Sequence, residues 1–356
     1  MTSLLVNLSV LLDQPTGISV YAQNVLPSFR RLDPVVFAQA PVSDFKFSQI
    51  PYGLSPDFGS RGHAKRLWWL QREMSCYCHC SHLIFSPSPE APLFTGCRFI
   101  VTAHDVTPLR FPKYFPIPLV IYFRYYVNQV LQQAEHVICN SVSTARDIAD
   151  FYGVPAHKLT PISLAYDKQN FRPCDVPLGN YFLYIGRHST HKNLVRLISA
   201  FSQVSKVNSD VELWLVGPED QRYTPALVAQ AESLGITSRV RFLNYVAYDQ
   251  LPSLLGGAIA LTFPSLWEGF GLPVLEAMAC GTPVITSRLS SLPEVTGEAA
   301  ILIDPYNVDE LADSMRIVSS NSQLRQRLRV AGIERARLFS WEKTGQRTVD
   351  IVRGYL

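Results

Sequence analysis

The chain has 356 residues, 47% of them hydrophobic and 17% charged, which excludes a disordered or fibrous polypeptide and leaves apolar material for two domain cores. A net charge of +3, with no block of Lys or Arg, excludes an electrostatic nucleic-acid footprint. Seven scattered cysteines, an odd number, read as reduced thiols in a cytoplasmic protein rather than a disulfide framework.

Residues 4–12 are apolar and read as the first buried strand; no Lys or Arg precedes them and no small-residue cleavage site follows, as a secretory signal would require. No apolar run approaches the roughly 20 residues of a membrane-spanning helix, since the longest candidate, 118–131, is broken by Arg124, Asn128 and Gln129. A turn cluster at 13–17 leads into a helical pattern of Ile18, Tyr21, Ala22, Val25 and Leu26. Gly17 at its mouth is either a turn glycine or a place where backbone approaches a phosphate.

Residues 41–60, dense in Pro, Ser and Gly, read as a loop. Residues 61–80 read as a helix with Arg61, Lys65, Arg66 and Arg72 beside Trp68, Trp69 and Leu70. Both tryptophans are expected in the core, the alternative being a basic, aromatic face lying peripherally on the inner face of the cell membrane. Cys76, Cys78 and Cys80, with His79 and His82, lack the spacing of zinc sites, and no metal is expected there.

A strand at 99–103 runs into His104 and Asp105, at the carboxyl end where site residues collect in α/β proteins; a locally bonded loop histidine is the alternative. A helix over 119–131, a strand over 136–140 and a capped helix start at 140–143 follow. The Pro-rich residues 161–180 join this half to the next, giving domains of 1–170 and 171–340. The alternation then restarts with a strand at 181–186. Arg187 ends it and Lys192 stands before the helix to Phe201, so both can place positive charge on a diphosphate, unless they are only a basic loop. Strands follow at 211–217, 240–243 and 258–263, the last closed by Pro264 and Ser265. Gly269 and Gly271 flank Phe270; Leu272 and Pro273 begin a helix that carries Val274, Leu275 and Glu276 and ends at Gly281; a strand over 283–286 comes next. Glu268 on the loop and Glu276 in the first helical turn should reach different parts of one ligand, each suited to the vicinal hydroxyls of a ribose or a hexose; otherwise one is a solvated loop residue and the other a partner of the helix dipole. A helix capped by Ser340 ends the chain.

The run PSLWEGFGLPVLEAMACGTPVI at 264–285, with seven residues between Glu268 and Glu276 and with SSLPEV at 290–295, resembles the signature of retaining GT-B glycosyltransferases of family 4, and the Thr16-Gly17 segment and the His104-Asp105 loop look similar to those of the family's mannosyltransferases. The likeness covers nearly the whole chain and is strongest over 181–295. It implies an α/β protein of two Rossmann-like domains facing across a cleft: an acceptor-side domain over 1–170, a nucleotide-sugar domain over 171–340, and a last helix, 341–356, crossing back to the first domain.

Carried onto this sequence, the resemblance gives Glu268 the donor sugar and Glu276 the ribose. Gly269, Phe270, Gly271, Leu272, Val274 and Leu275 meet the sugar and diphosphate. Gly17, Arg187 and Lys192 hold the diphosphate. His104 meets the donor sugar near the acceptor, and Asp105 orients His104 or meets the acceptor. His188 and His191, between Arg187 and Lys192, depart from the family's commoner acidic and proline filling. No Asp-x-Asp occurs in the chain, so neither metal nor other cofactor is expected, the cations and helix N-terminus bearing the diphosphate charge. The expected reaction is transfer of a hexose from GDP-mannose or UDP-glucose, with retention, to a saccharide or lipid-linked acceptor in polysaccharide or glycolipid synthesis. The rival readings are a sugar epimerase or phosphorylase on the same architecture, a non-catalytic nucleotide-sugar binder, and a membrane-surface adaptor built on residues 61–80.

Overall fold

Short apolar runs bounded by Gly, Pro and Asn form strands buried on both faces, and amphipathic segments between them form the covering helices. The computed structural model describes residues 3–12, 17–77 and 82–356, so the turn at 13–16 and Cys78, His79 and Cys80 lie outside the described residues. The chain divides into two units, one running to Leu164 and including Ser340–Leu356, the other Ala165–Phe339.

In the first unit, among the described residues, seven strands form one parallel sheet: β1 (Ser3–Asn7), β2 (Val35–Ala38), β3 (Lys46–Gln49), β4 (His82–Ser86), β5 (Arg98–Ala103), β6 (His136–Cys139) and β7 (Leu159–Pro161). Their order is β3-β2-β1-β4-β5-β6-β7. Successive strands build outward from β1 in one direction and, after β3, in the other, so β1 and β4 flank the switch point where α/β sheets open a crevice.

The second unit repeats the plan with six parallel strands: β8 (Tyr181–Ile185), β9 (Glu212–Val216), β10 (Val240–Leu243), β11 (Ala260–Phe263), β12 (Val284–Ser287) and β13 (Ile301–Ile303). The order β10-β9-β8-β11-β12-β13 puts its switch point between β8 and β11. Leu183 and Leu261 pair there, both fully buried.

Several elements differ from the sequence reading. Residues 41–60 are not one loop: they contain the edge strand Lys46–Gln49 and a helical turn at Pro56–Phe58, and Gly59 opens the next helix. That helix ends at Arg72, not at residue 80. Its tryptophans part company. Trp69 packs in the core with Leu70, whereas Trp68 is 60% exposed, because adjacent helical positions point about 100° apart and only one follows the buried stripe.

The two compact units divide at 164/165, within the joining residues 161–180. Ile162 donates its N–H to the Cys139 carbonyl at the edge of the first sheet, whereas Asn170 donates to the Tyr248 carbonyl and Phe171 meets the Tyr248 ring edge-on in the second unit. The last helix, Trp341–Arg353, packs on the first unit. Its Thr344 hydroxyl donates to the Ser163 carbonyl, and Gly345 lies so close to Ser28 that a Cβ would sit 2.0 Å from its hydroxyl oxygen. Among the described residues no helix is long and apolar enough to cross a membrane.

Candidate active site

In the second unit the loops leaving β8 and β11 meet at the switch point. The Leu266 N–H donates to the His191 carbonyl at 2.8 Å, and Asn193, in the left-handed conformation before the helix Leu194–Val207, donates its side-chain N–H groups to the carbonyls of Pro264 and Pro305. Asparagine tolerates that conformation, and here it joins three loops at once. The Glu268 N–H donates to the Ser290 hydroxyl, while the Ser291 hydroxyl lies within hydrogen-bonding distance of the carbonyls of Glu268 and Phe270. Gly271 turns this loop into the helix Leu272–Cys280 with φ +104, and a Cβ on it would come 2.7 Å from Leu292 Cδ2. Glycine is therefore required there both by backbone and by space.

This frame holds an ion pair. Lys192 Nζ donates to Glu268 Oε1 at 2.6 Å, with both side chains more than four-fifths buried. Lys192 also stands 5.5 Å from the centre of the Phe263 ring. His191 beside the pair is lowered to about pKa 4, by burial first and by the Lys192 charge second, against the pull of Glu268. It is neutral at physiological pH, so Lys192 supplies the cation on this turn. Arg187 is exposed and lines, with Pro218, Glu219 and Asp220, a cavity of about 460 Å³. The sequence therefore brought two cations to one region, but the structure gives them different settings, Lys192 already neutralised and Arg187 facing the cavity.

Glu276 lies half-buried one turn into the helix. Burial, and then the negative charge of Asp167, raise its pKa to about 7. The same two carboxylates, after burial, push the Tyr248 hydroxyl up. The amides of Val274 and Leu275, which the resemblance directs at a ligand, donate to the Gly271 carbonyl at 3.1 and 3.3 Å. The first amide of the helix, on Leu272, has no intrahelical carbonyl four residues before it, and it follows the glycine loop Gly269–Phe270–Gly271 directly.

In the first unit, Gly17 opens the helix Ile18–Val25 with φ +44, and among the described residues no atom beyond its chain neighbours lies within 4 Å of where its Cβ would stand. At the end of β5, His104 Nε2 lies 2.8 Å from the Pro87 carbonyl. A carbonyl only accepts, so Nε2 carries the hydrogen and Nδ1 is left as an acceptor. Its ring meets Tyr21 edge-on at 5.1 Å. The protein packed around His104 lowers its pKa to about 4, although the Pro87 bond acts in the opposite sense. Asp105 Oδ1 accepts the Thr107 N–H and so starts the short helix Thr107–Arg110. The group that orients the His104 ring is thus the Pro87 carbonyl.

Sequence reasoning missed Asp167 and Asn193 and gave Ser290 and Ser291 no role. An Asn immediately before a helix was a usable signal for the second; nothing local marked Asp167, which the fold alone brings near Glu276.

Two parallel sheets with polar groups gathered at their switch points define a protein of the GT-B class. Residues 176–335 match the family described as Glycosyl transferases group 1, and residues 15–170 match Glycosyltransferase Family 4. The chain is similar to O-antigen chain mannosyltransferase B of Escherichia coli, 27% identical over 81% of this chain and 77% of that one. It is also similar to the MMP alpha-(1->4)-mannosyltransferase of Mycolicibacterium hassiacum, 35% identical over 63% of this chain and 55% of that one. Among solved structures, HepE of Anabaena in complex with UDP and glucose superposes with a TM-score of 0.77 at 20% identity, covering 99% of this chain and 100% of that one. The glycosyltransferase WaaG, involved in lipopolysaccharide biosynthesis, superposes with a TM-score of 0.74 at 17% identity, covering 99% and 100%. The chain belongs to the family 4, group 1 glycosyltransferases, and it is a hexosyltransferase.

Proposed function

We propose that the chain moves mannose from GDP-mannose to a saccharide or lipid-linked acceptor in the synthesis of a polysaccharide or glycolipid. The observation that carries this reading is the buried Lys192–Glu268 pair beside the glycine loop and helix start at the second switch point. An arriving diphosphate offers Lys192 a new anion, and a sugar hydroxyl offers Glu268 a new donor, so one ligand replaces both halves of the pair. Arg187 at the adjoining cavity adds a planar fork for phosphate oxygens, and Glu276, once ionised, accepts the ribose hydroxyls. The mannosyltransferase relatives favour mannose. UDP-glucose is the second donor to test, because HepE was crystallised with UDP and glucose.

In this reading the acceptor hydroxyl attacks the anomeric carbon from the face of the departing diphosphate. The bond from that carbon to the diphosphate oxygen breaks with its electron pair going to the phosphate, and the hydroxyl proton passes to a β-phosphate oxygen. The configuration is retained and neither glutamate is a covalent nucleophile. Lys192, Arg187 and the Leu272 amide neutralise the leaving charge in place of a metal ion. His104, neutral and with Nδ1 as acceptor, takes a hydrogen bond from a sugar hydroxyl. Asp105 holds the turn that follows.

Calorimetric titration with GDP, UDP and their hexose adducts, first without and then with Mg²⁺, tests the donor. Tight metal-free binding of the guanine series alone supports it; binding of the uridine series alone transfers the reading to UDP-glucose, and binding of neither overturns it. Product NMR showing an inverted anomeric centre would sink the retaining mechanism.

A further inference from the structure

A cavity of about 360 Å³ lies in the first unit, against the edge strand β3 and the helix Gly59–Arg72. That volume falls at the small end of ligand sites. None of the residues placed at the candidate active site lines it. Gln49 ends β3 and Tyr52 follows it, Phe37 comes from β2, and Trp69, Glu73 and Tyr77 come from the helix and the turn after it. Because the strands are parallel, the carboxyl end of β3 shares an edge of the sheet with His104 at the end of β5. Four strand spacings of about 4.8 Å separate the two, on the order of 20 Å.

The walls of this cavity are aromatic. Phe37 meets Tyr77 edge-on at 5.3 Å and Trp69 at a tilt at 6.1 Å, so one buried ring holds the other two. Tyr52 is 82% exposed, and Phe58 fixes its ring edge-on at 5.0 Å. Trp69 is only 3% exposed, yet it lines the cavity and its indole N–H donates to none of the described residues. A tryptophan so buried ordinarily finds a partner for that group. The half-buried Glu73 carboxylate and the exposed Gln49 amide also have no side-chain partner among the described residues.

No Lys, Arg or His lines the cavity, so an anion such as a phosphate finds no charged donor there. A cation would suit the aromatic faces and Glu73, but it offers no acceptor to the indole and amide N–H groups. A sugar meets both needs. Its hydroxyls accept from Trp69 or Gln49 and donate to Glu73, while the C–H face of its ring lies on an aromatic side chain. We propose that this cavity binds a neutral pyranose of the acceptor saccharide, several residues away from the hydroxyl that receives the hexose. The saccharide chemistry follows from the cavity, whereas the assignment to the acceptor rests on the transfer reading. A saccharide held here keeps its receiving end near His104 at a raised effective concentration.

The test is calorimetric titration of the full chain, without donor, with linear α-linked oligosaccharides of mannose and of glucose from two to six residues long. The wild type should bind one series, its longer members more tightly. Glu73→Gln should weaken that binding about tenfold, as for one lost hydrogen bond to a charged group. Trp69→Phe, which keeps a packed ring and removes the N–H, should weaken it too, and so should Tyr52→Ala, with the melting temperature of the latter unchanged. In transfer assays Glu73→Gln should raise KM for a long acceptor and leave kcat and nucleotide affinity as in the wild type. Absence of wild-type binding to either series, or binding that survives both Glu73→Gln and Tyr52→Ala, would overturn the proposal. So would competition of tetramethylammonium for the same residues with no saccharide bound, since the cavity would then be a cation site. A wild type that takes the saccharide but no nucleotide would overturn the transfer reading, and with it the acceptor assignment.

Discussion

The raised pKa of Glu276, about 7, makes donor affinity depend on pH. An ionised carboxylate accepts both hydroxyls of a ribose diol, whereas the acid form spends one oxygen as a donor. About one-tenth of Glu276 is ionised at pH 6 and about nine-tenths at pH 8, so affinity for a nucleoside diphosphate should rise about tenfold across that interval, or about 1.4 kcal/mol. The nucleotide's terminal phosphate titrates in the same region, near pH 6. The reference is therefore Glu276→Gln, which keeps the phosphate contribution and removes that of the carboxylate. Calorimetry with GDP at pH 6 and 8 on both proteins yields a ratio of affinity gains. A ratio near ten supports the argument, and a ratio near one refutes it. Asp167→Asn should shift the transition to lower pH, because it removes a negative neighbour.

Stability provides a second readout of opposite sense. The folded pKa of Glu276 lies above its unfolded value, so its contribution is present below about pH 4.5 and is lost as the pH rises through 7, by about 3 kcal/mol at most. His104 and His191, lowered to about 4, contribute stability that is lost as the pH falls from about 6.5 through 4. These trends overlap and partly cancel in the wild type. The difference in melting temperature between Glu276→Gln and wild type isolates the carboxyl, and it should move in favour of the variant between pH 5 and 8.

Three further outcomes follow from particular contacts. Lys192→Met leaves Glu268 unpaired in a largely buried position and should lower stability by roughly 3 kcal/mol, whereas adding Glu268→Leu should recover much of the loss without restoring nucleotide binding; urea midpoints equal for the single and double variants would contradict the pairing. Gly271→Ala should cost about 1–3 kcal/mol through its positive φ and the approach to Leu292, and an unchanged urea midpoint would show that the loop relaxes freely. His104→Ala should lower kcat about tenfold, the worth of one hydrogen bond of roughly 1.4 kcal/mol, with less effect on donor affinity. Equal losses in both would remove His104 from the transfer step, and a wild-type kcat inflection near pH 6.5 that vanishes in His104→Gln would contradict its low pKa.

The parts of this molecule that were legible in its sequence are those whose signals are local. Tyr181–Ile185 and Ala260–Phe263 announce themselves as apolar runs with abrupt ends, and Gly271 and Gly281 mark both ends of one short helix. The edge strand Lys46–Gln49 gave no such signal, since its residues Lys-Phe-Ser-Gln are exposed or half-exposed and carry no apolar run. Pairings between distant residues were equally silent. Lys192 and Glu268 stand 76 residues apart, and their contact follows from the adjacency of β8 and β11, a fact of strand order rather than of either motif.

The segment 117–127 shows a third limit. Every residue in it except Arg124 is apolar, aromatic or proline, so no hydrophobic period exists to say which side faces inward. Composition established only that the segment was apolar and free of acids. The choice of face was made by Glu90 and the Ala91 carbonyl, which take the hydroxyls of Tyr122 and Tyr126 and draw that side into the core. Four large apolar side chains remained outside as a consequence. A helix apolar in sequence except at Arg124 thus becomes one-sided through two hydrogen bonds.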